Sequence, residues 1–365
     1  MKKLFLIVLN AFYTLCRAQT ETIEWLGGNF EISNQEVKNN LIFKGCFVSK
    51  NAIATRAQIY KDDIFVALPR YKPGVPATLA KLAFKSQDME TVLIPYPDLG
   101  SQEEGTNGCL QNVVDIFVDP HGILWALDVG VVNTMEDPVR MSPPKVIGFQ
   151  LDTGMKLKTI DLSGLVVQGS RLQYLFVDYG KDGKPFVYIL DAATRSILVY
   201  DVSSDKAYRL MLPKAMTKSR KDVLYGALLR KSNGDNILIF TYLSGQRIFS
   251  VRTESIRAGA PGGQITDLGV KNGKIVLLGT DGGAVAFYRH EGKPEIYRWN
   301  ADNCTTLFPG GELVYTSPSC YLATQVLPDS VGGLMRVLES NFPDFIKGHV
   351  GCGVSQRIAP MISYV

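Results

Sequence analysis

The sequence predicts an all-β chain folded as a six-bladed β-propeller in a single domain, and three observations predict it. Six times, a turn rich in Gly, Asp, Asn or Lys opens directly into a short apolar run: IFVALP from Ile64, ILWALD from Ile123, FVYILD from Phe186, ILIFTY from Ile237, IVLLGT from Ile275 and LMRVLE from Leu334. The starts of these runs are separated by 59, 63, 51, 38 and 59 residues, the loose period expected of a four-stranded blade with its loops. No Pro/Ser-rich linker, low-complexity tract or charge block divides the 365 residues, so one closed ring fits better than separate globules. A propeller encloses a central channel, and function is expected at the loops ringing its mouth.

The elements follow in order. Lys2 and Lys3 precede a mostly apolar stretch from Leu4 to Leu15, which reads as a secretory signal in residues 1–18, cleaved after Ala18. The run is shorter than the ~20 residues of a membrane span. Residues 19–365 form the propeller domain, and the chain is expected to be exported to the extracellular space. VVDIFVDPHGILWALD (113–128) reads as strand, turn, strand, and residues 174–201 repeat the pattern around YGKDGK and ATRS. LLRKSNGDNILIF (228–240) and TDLGVKNGKIVLLG (266–279) read as hairpins turned on Asn-Gly, which supplies the positive φ of tight turns. A short helical turn is expected only around Ser219 to Leu229. Runs apolar on both faces, such as FVYILD, suit strands sandwiched between blades, with Trp125, Phe186 and Tyr188 as blade core.

The formal net charge is +4, and loss of Lys2, Lys3 and Arg17 with the signal brings it to +1. Near-neutrality gives no electrostatic case for nucleic acid, and KAMTKSRK (214–221) reads as a polar blade loop. The five cysteines of residues 19–365 are Cys46, Cys109, Cys304, Cys320 and Cys352, so two bridges and one free thiol are expected in an oxidising compartment, with Cys304–Cys320 the best local pair. No zinc spacing is present, and neither a metal nor another cofactor is expected. His121 and His290 are placed in turns, and His349 lies beside Cys352 without a neighbouring carboxylate. GxSxG, HExxH, P-loop and GxGxxG motifs are missing. Asp128, Asp191 and Glu339 end apolar runs, and Asp281 follows another; converging on the channel they would hold calcium or a ligand ammonium, otherwise they cap strand ends. Asn303-Cys304-Thr305 is a glycosylation sequence.

RAQIYKDDIFVALPRYKPGVPATLAKL from Arg56, LIPYPD from Leu93, GCLQNVVDIFVDPHGILWALDVG from Gly108, PPKVIGFQLDTGMKL from Pro143 and FVYILDAATRSILVYDV from Phe186 resemble the yellow and major royal jelly protein family of insects. RTESIR at Arg252, GTDGGAV at Gly279, YRWN at Tyr297 and VLESNFPDF at Val337 extend the likeness over nearly the whole of residues 19–365, and the closing segments are nearest to the yellow-e branch. The resemblance implies a secreted six-bladed propeller with a role in cuticle pigmentation, the melanin pathway or cuticle integrity. It also implies a small aromatic amine or catechol-type ligand in the channel, with the cuticle matrix as a further partner and no membrane. Thr324, Asn341 and Phe342 match the ligand positions of amine-binding relatives, and Asp128, Asp191 and Asp281 complete the expected ligand set. Dopachrome conversion by an isomerase-type enzyme and a non-catalytic structural or nutritive role remain alternatives. Relatives often carry cysteines between Asp119 and Leu124 and just before Pro144; this chain has Pro120, His121 and Gly122 at the first place and Pro143 at the second, which would suit the loss of one disulfide.

Overall fold

A computed structural model describes residues 21–361 apart from 86–89, 214–215, 217–218, 220, 260–264, 304–310, 330–333 and 349–354. Strand β1 (Ile23–Leu26) is followed by helix α1 (Gln35–Phe43), which Asn34 starts by accepting the amide hydrogens of Glu36 and Val37. Blade one is β2 (Arg56–Tyr60), β3 (Asp63–Ala67), β4 (Leu79–Lys85) and β5 (Glu90–Pro95). Blade two has β6 (Val113–Val118) and β7 (Ile123–Asp128), then a ribbon of β8 (Val131–Val132) and β9 (Val139–Arg140), then β10 (Lys145–Gln150) and β11 (Met155–Asp161). Blade three is β12 (Leu172–Tyr179), β13 (Pro185–Asp191), β14 (Ser196–Asp201) and β15 (Lys206–Met211). In blade four, β16 (Leu224–Arg230), β17 (Asn236–Tyr242) and β18 (Arg247–Arg252) lead through α2 (Thr253–Arg257) to β19 (Thr266–Val270). Blade five is β20 (Ile275–Thr280), β21 (Val285–His290), β22 (Glu295–Asn300) and β23 (Glu312–Thr316). Blade six has β24 (Leu322–Asp329), β25 (Leu334–Ser340), α3 (Phe342–Ile346) and β26 (Ser355–Pro360).

Each blade is an antiparallel four-stranded sheet, and the chain is a six-bladed propeller. Blade six takes its outer strand from the other end of the chain: β1 pairs with β26, Glu24 opposite Arg357, and closes the ring. The core lies between blades. Tyr188 and Leu190 of blade three pack with Leu238 and Phe240 of blade four, while Val187 and Ile189 on the other face of β13 pack against Trp125 and Leu127 of blade two. Both faces of β13 are thus buried, which explains a run with no polar alternation.

Four inner-strand side chains lace neighbouring blades by accepting a backbone amide hydrogen. Gln325 takes Ala57 (2.6 Å), Gln58 takes Val118 (3.2 Å), Asp115 takes Leu175 (2.7 Å) and Gln173 takes Leu224 (3.0 Å). Inner strands also approach closely at Gly279, where φ is +144° and a Cβ would lie 2.1 Å from the Val326 carbonyl oxygen. Gln325→Leu orphans the buried Ala57 amide and is expected to cost about 1–3 kcal/mol in urea unfolding; an unchanged midpoint would show that the lacing bond adds nothing.

The blade count matches the sequence expectation, but strand assignments differ. Five of the six apolar runs are second strands (β3, β7, β13, β17, β25), whereas IVLLGT is the inner strand β20. Its second-strand counterpart is β21, so the spacings become 48 residues from Ile237 to Val285 and 49 from Val285 to Leu334. TDLGVKNGKIVLLG is therefore no hairpin but the crossover from the outer edge of blade four to the inner edge of blade five. The helical turn expected around Ser219 to Leu229 gives way to β16, and His290 closes a strand rather than lying in a turn.

Two cysteine expectations also change. Cys46 and Cys109 are both free, each sulfur turned to a backbone carbonyl of its own loop, which excludes two bridges among the five. Cys320 is disulfide-bonded; Cys304 and Cys352 lie outside the described residues. Ile123 pairs with Gln150 and Asp128 with Lys145, so positions 120–122 and 143 sit at opposite ends of blade two. Five residues at ~3.3 Å each separate them, beyond the reach of a single disulfide. The signal segment 1–18 lies outside the described residues, and no described helix is long and apolar enough to cross a membrane.

Candidate functional site

Inner strands run from an upper face, where they start, to a lower face, where they end. The channel holds a cavity of about 170 Å³ to which each inner strand contributes: Arg56, Asp115, Tyr174, Arg230, Leu277 and Gln325 come one from each. Three of these residues directly follow a register shift at the upper end of the strand, between Val113 and Asp115, Leu172 and Tyr174, and Ala323 and Gln325. Such bulges re-aim side chains at a rim.

Asp115 and Arg56 form the charged centre. The Arg56 Nε lies 3.2 Å from Asp115 Oδ1, and its Nη1 donates to the carbonyls of Thr55 (2.9 Å) and Thr324 (3.2 Å). Asp115, 4 % exposed, also accepts the amide hydrogens of Ile116 (3.0 Å) and Leu175 (2.7 Å). Burial dominates and pushes its carboxyl up to about 6, although Arg56 pulls the other way. Burial works against the Arg56 charge, but the Asp115 carboxylate and a hydrogen bond to the Tyr174 oxygen outweigh it and hold the guanidinium protonated.

Aromatic rings wall this pair. Arg56 lies 4.7 Å from the Tyr174 ring centroid, Tyr174 meets Tyr225 edge-on at 5.9 Å and stacks beside Phe176 at 6.3 Å. Desolvation raises the phenols of Tyr174, Tyr225 and Tyr71, keeping them neutral donors. Tyr71 touches Phe342 at 5.9 Å, which carries the wall to the upper rim. A buried carboxylate with a near-neutral pKa, faced by a cation and phenols, can take a proton from carbon and stabilise charge developing on oxygen.

The structure separates the ligand residues expected from sequence. Thr324, Asn341 and Phe342 lie on the upper face near this centre: the Thr324 carbonyl holds Arg56, its hydroxyl donates to the Leu338 carbonyl, and Asn341, 4 % exposed, precedes α3. Asp128 is elsewhere. It is fully buried, accepts the amide hydrogens of Gln111, Asn112 and Gly130 and pairs with Lys145 at 2.8 Å, clipping the segment that leads into β6. Asp191 clips Arg171 before β12 in the same way. Glu339, also fully buried, pairs with Arg357 at 2.6 Å. Asp281 ends an inner strand, so it lies on the lower face, accepting the amide hydrogens of Gly283 and Val285. No convergent calcium cluster forms from these four acids: Asp128, Asp191 and Asp281 accept backbone amide hydrogens, Glu339 pairs with Arg357, and Asp281 faces the opposite rim. Asn303 is exposed, while Cys304 and Thr305 lie outside the described residues.

Arg56, Asp115 and Tyr174 were not among the sequence candidates. The signal was present in VVDIFVD, where a charged residue interrupts an apolar strand, but its partners come from β2 and β12 and meet only once the ring closes.

Comparisons agree with this architecture. The family model described as Major royal jelly protein matches residues 111–353, more than half of the chain. Relatives include Protein yellow of Drosophila melanogaster, 25% identical over 65% of this chain and 48% of that protein. Dopaminechrome tautomerase of the same species is 27% identical over 51% and 42%. Major royal jelly protein 1 of Apis mellifera is 29% identical over 51% and 44%. The chain spans about half the length of the curated relatives it matches. An α-L-arabinofuranosidase from Fusarium graminearum superposes with a TM-score of 0.53 over 94% of this chain and 99% of that one, at 10% identity, a likeness of fold alone. With its propeller and its family match together, the chain belongs to the yellow and major royal jelly protein family.

Proposed function

We propose that this yellow-family protein binds a small catechol-derived ring compound in its channel and isomerises it by moving one proton. The observation that carries the reading is Asp115: buried, near-neutral in pKa, and walled by Arg56, Tyr174 and Phe176. Three of the four lacing positions carry glutamine, so lacing alone needs no charge; the carboxylate at the fourth bears a desolvation cost that a proton-transfer role explains. The relative named dopaminechrome tautomerase supports the same class of substrate.

In an aminochrome, Asp115 would take a proton from a carbon of the five-membered ring while a quinonoid oxygen gains one. The C–H bond breaks, an O–H bond forms, and no oxidant is required. Arg56 and Tyr174 would stabilise the negative oxygen, and Arg56 also disfavours a free ligand ammonium beside Asp115, which argues for a quinonoid over a simple amine there. The cavity is smaller than the roughly 300–1,000 Å³ of drug-sized sites, suiting one or two rings. Export, a role in cuticle pigmentation or integrity, glycosylation at Asn303 and a Cys304–Cys320 bridge belong to the same proposal.

The purified chain is tested by following loss of the visible absorbance of dopachrome and dopaminechrome between pH 4 and 9. Turnover should rise about tenfold per pH unit as Asp115 ionises and level off above about 6. Absence of any rate above background, alongside saturable calorimetric binding of dopamine, would replace the enzyme with a non-catalytic carrier.

A further inference from the structure

We propose that Arg230 makes the channel selective for ligands bearing a carboxylate, an inference that rests on the channel being the ligand site. Arg230 ends β16 and lines the lower part of the cavity whose upper part holds Asp115. The two cavity arginines differ. Arg56 is neutralised by Asp115, whereas among the described residues the Arg230 guanidinium forms no ion pair and makes one long hydrogen bond, Nη2 to the Val177 carbonyl at 3.4 Å. The carboxylate nearest in charge is Asp178, and it is engaged by Arg257 and Asn236, both at 2.7 Å. Burial pulls the Arg230 pKa down, yet a guanidinium stays charged, so the channel keeps a cation whose planar fork lacks a matching anion.

Strand β12 sets the spacing. Asp115 holds the Leu175 amide and Arg230 holds the Val177 carbonyl, so the two groups grip the strand two to three residues apart, roughly 7–10 Å. A molecule of one or two rings with a carboxylate at one end spans that interval, its acid group on Arg230 and a ring carbon toward Asp115. A phosphate or sulfate ester would meet the same charge, but the small cavity and the planar fork favour the carboxylate.

The test compares indole-2-carboxylate with indole by calorimetry on the full chain, together with Arg230→Met, Arg230→Lys and Asp115→Asn. The wild type should bind the carboxylate at least tenfold more tightly. Arg230→Met should abolish the preference, Arg230→Lys should keep part of it, and Asp115→Asn, which strips Arg56 of its counter-charge, should not weaken it. Equal binding of both probes by the wild type, which needs no variant to be folded, would overturn the assignment; so would a preference that survives in Arg230→Met. If neither probe binds the wild type, the channel-ligand reading fails as well, whereas a retained preference without aminochrome turnover would count against catalysis only.

Discussion

Asp115→Asn should lower aminochrome turnover by roughly 10²–10⁴-fold, the usual contribution of a general base, while the protein remains folded. The structural reason for survival is that an asparagine carbonyl can accept the Leu175 amide hydrogen, as Gln58, Gln173 and Gln325 accept theirs. Two further terms oppose each other. The carboxyl is raised to about 6 from 3.8, so the folded state holds its proton more firmly than the unfolded state, and stability falls as pH rises from about 4 to about 6. Above that window the ionised group costs the fold on the order of 3 kcal/mol, which asparagine removes. Against this, Arg56 loses its counter-charge but retains the carbonyls of Thr55 and Thr324 and the face of Tyr174. Near-cancellation predicts a melting temperature within a few degrees of wild type at pH 7. Full turnover in the variant would place the base elsewhere, and a loss of activity that tracks unfolding would reduce Asp115 to a lacing residue.

How much of this was legible in sequence follows from where strands sit in a blade. Second strands are apolar on both faces because neighbouring blades cover them, and β7, β13, β17 and β25 stood out for that reason. β21 was missed because it ends on Arg289 and His290; Arg289 is buried only because its Nε reaches the Ala323 carbonyl in the next blade. Inner strands were harder still, since Arg56, Gln58 and Asp115 break their apolar pattern to face the channel or lace it. Asp128 and Asp191 were conspicuous at strand ends, but only the fold shows that backbone amides already occupy both oxygens of Asp128 and one of Asp191. Asp115 stands 59 residues after Arg56 and 59 before Tyr174, about one blade each way, and ring closure alone brings the three together. The closing strand β1 was invisible for a similar reason: four residues with one buried side chain, Trp25, carry no periodicity, and β1 becomes a strand by pairing with β26.

Arg70→Met should destabilise the propeller by about 3–5 kcal/mol, the range for removing one partner of a buried charged network. Arg70 is 2 % exposed, and all five of its side-chain N–H groups are committed to carbonyls. Nε donates to Val75 (2.9 Å), Nη1 to Leu110 (3.2 Å) and Gln111 (2.6 Å), and Nη2 to Pro76 (3.0 Å) and Gln102 (2.7 Å). Methionine restores the apolar stem and leaves five buried carbonyls without the donor they have in the native protein, each a desolvation cost. Burial presses the Arg70 pKa downward, but a guanidinium does not surrender its proton, so the charge is held by this cage of carbonyl dipoles with Glu104 at 3.7 Å. Lysine offers three donors and no planar fork, so Arg70→Lys should recover less than half of the loss. The effect should reach the channel too. Leu110 and Gln111 belong to the segment leading into β6, Asn112 accepts the Arg70 amide hydrogen at 2.8 Å, and Asp115 follows three residues later. Loosening that segment should lower turnover at temperatures where the variant is still folded, because small displacements of a positioned base are costly. Guanidinium unfolding alongside the aminochrome assay separates the two effects: a midpoint shift worth less than about 1 kcal/mol would show that water replaces the guanidinium, and full turnover in the folded variant would uncouple the cage from Asp115.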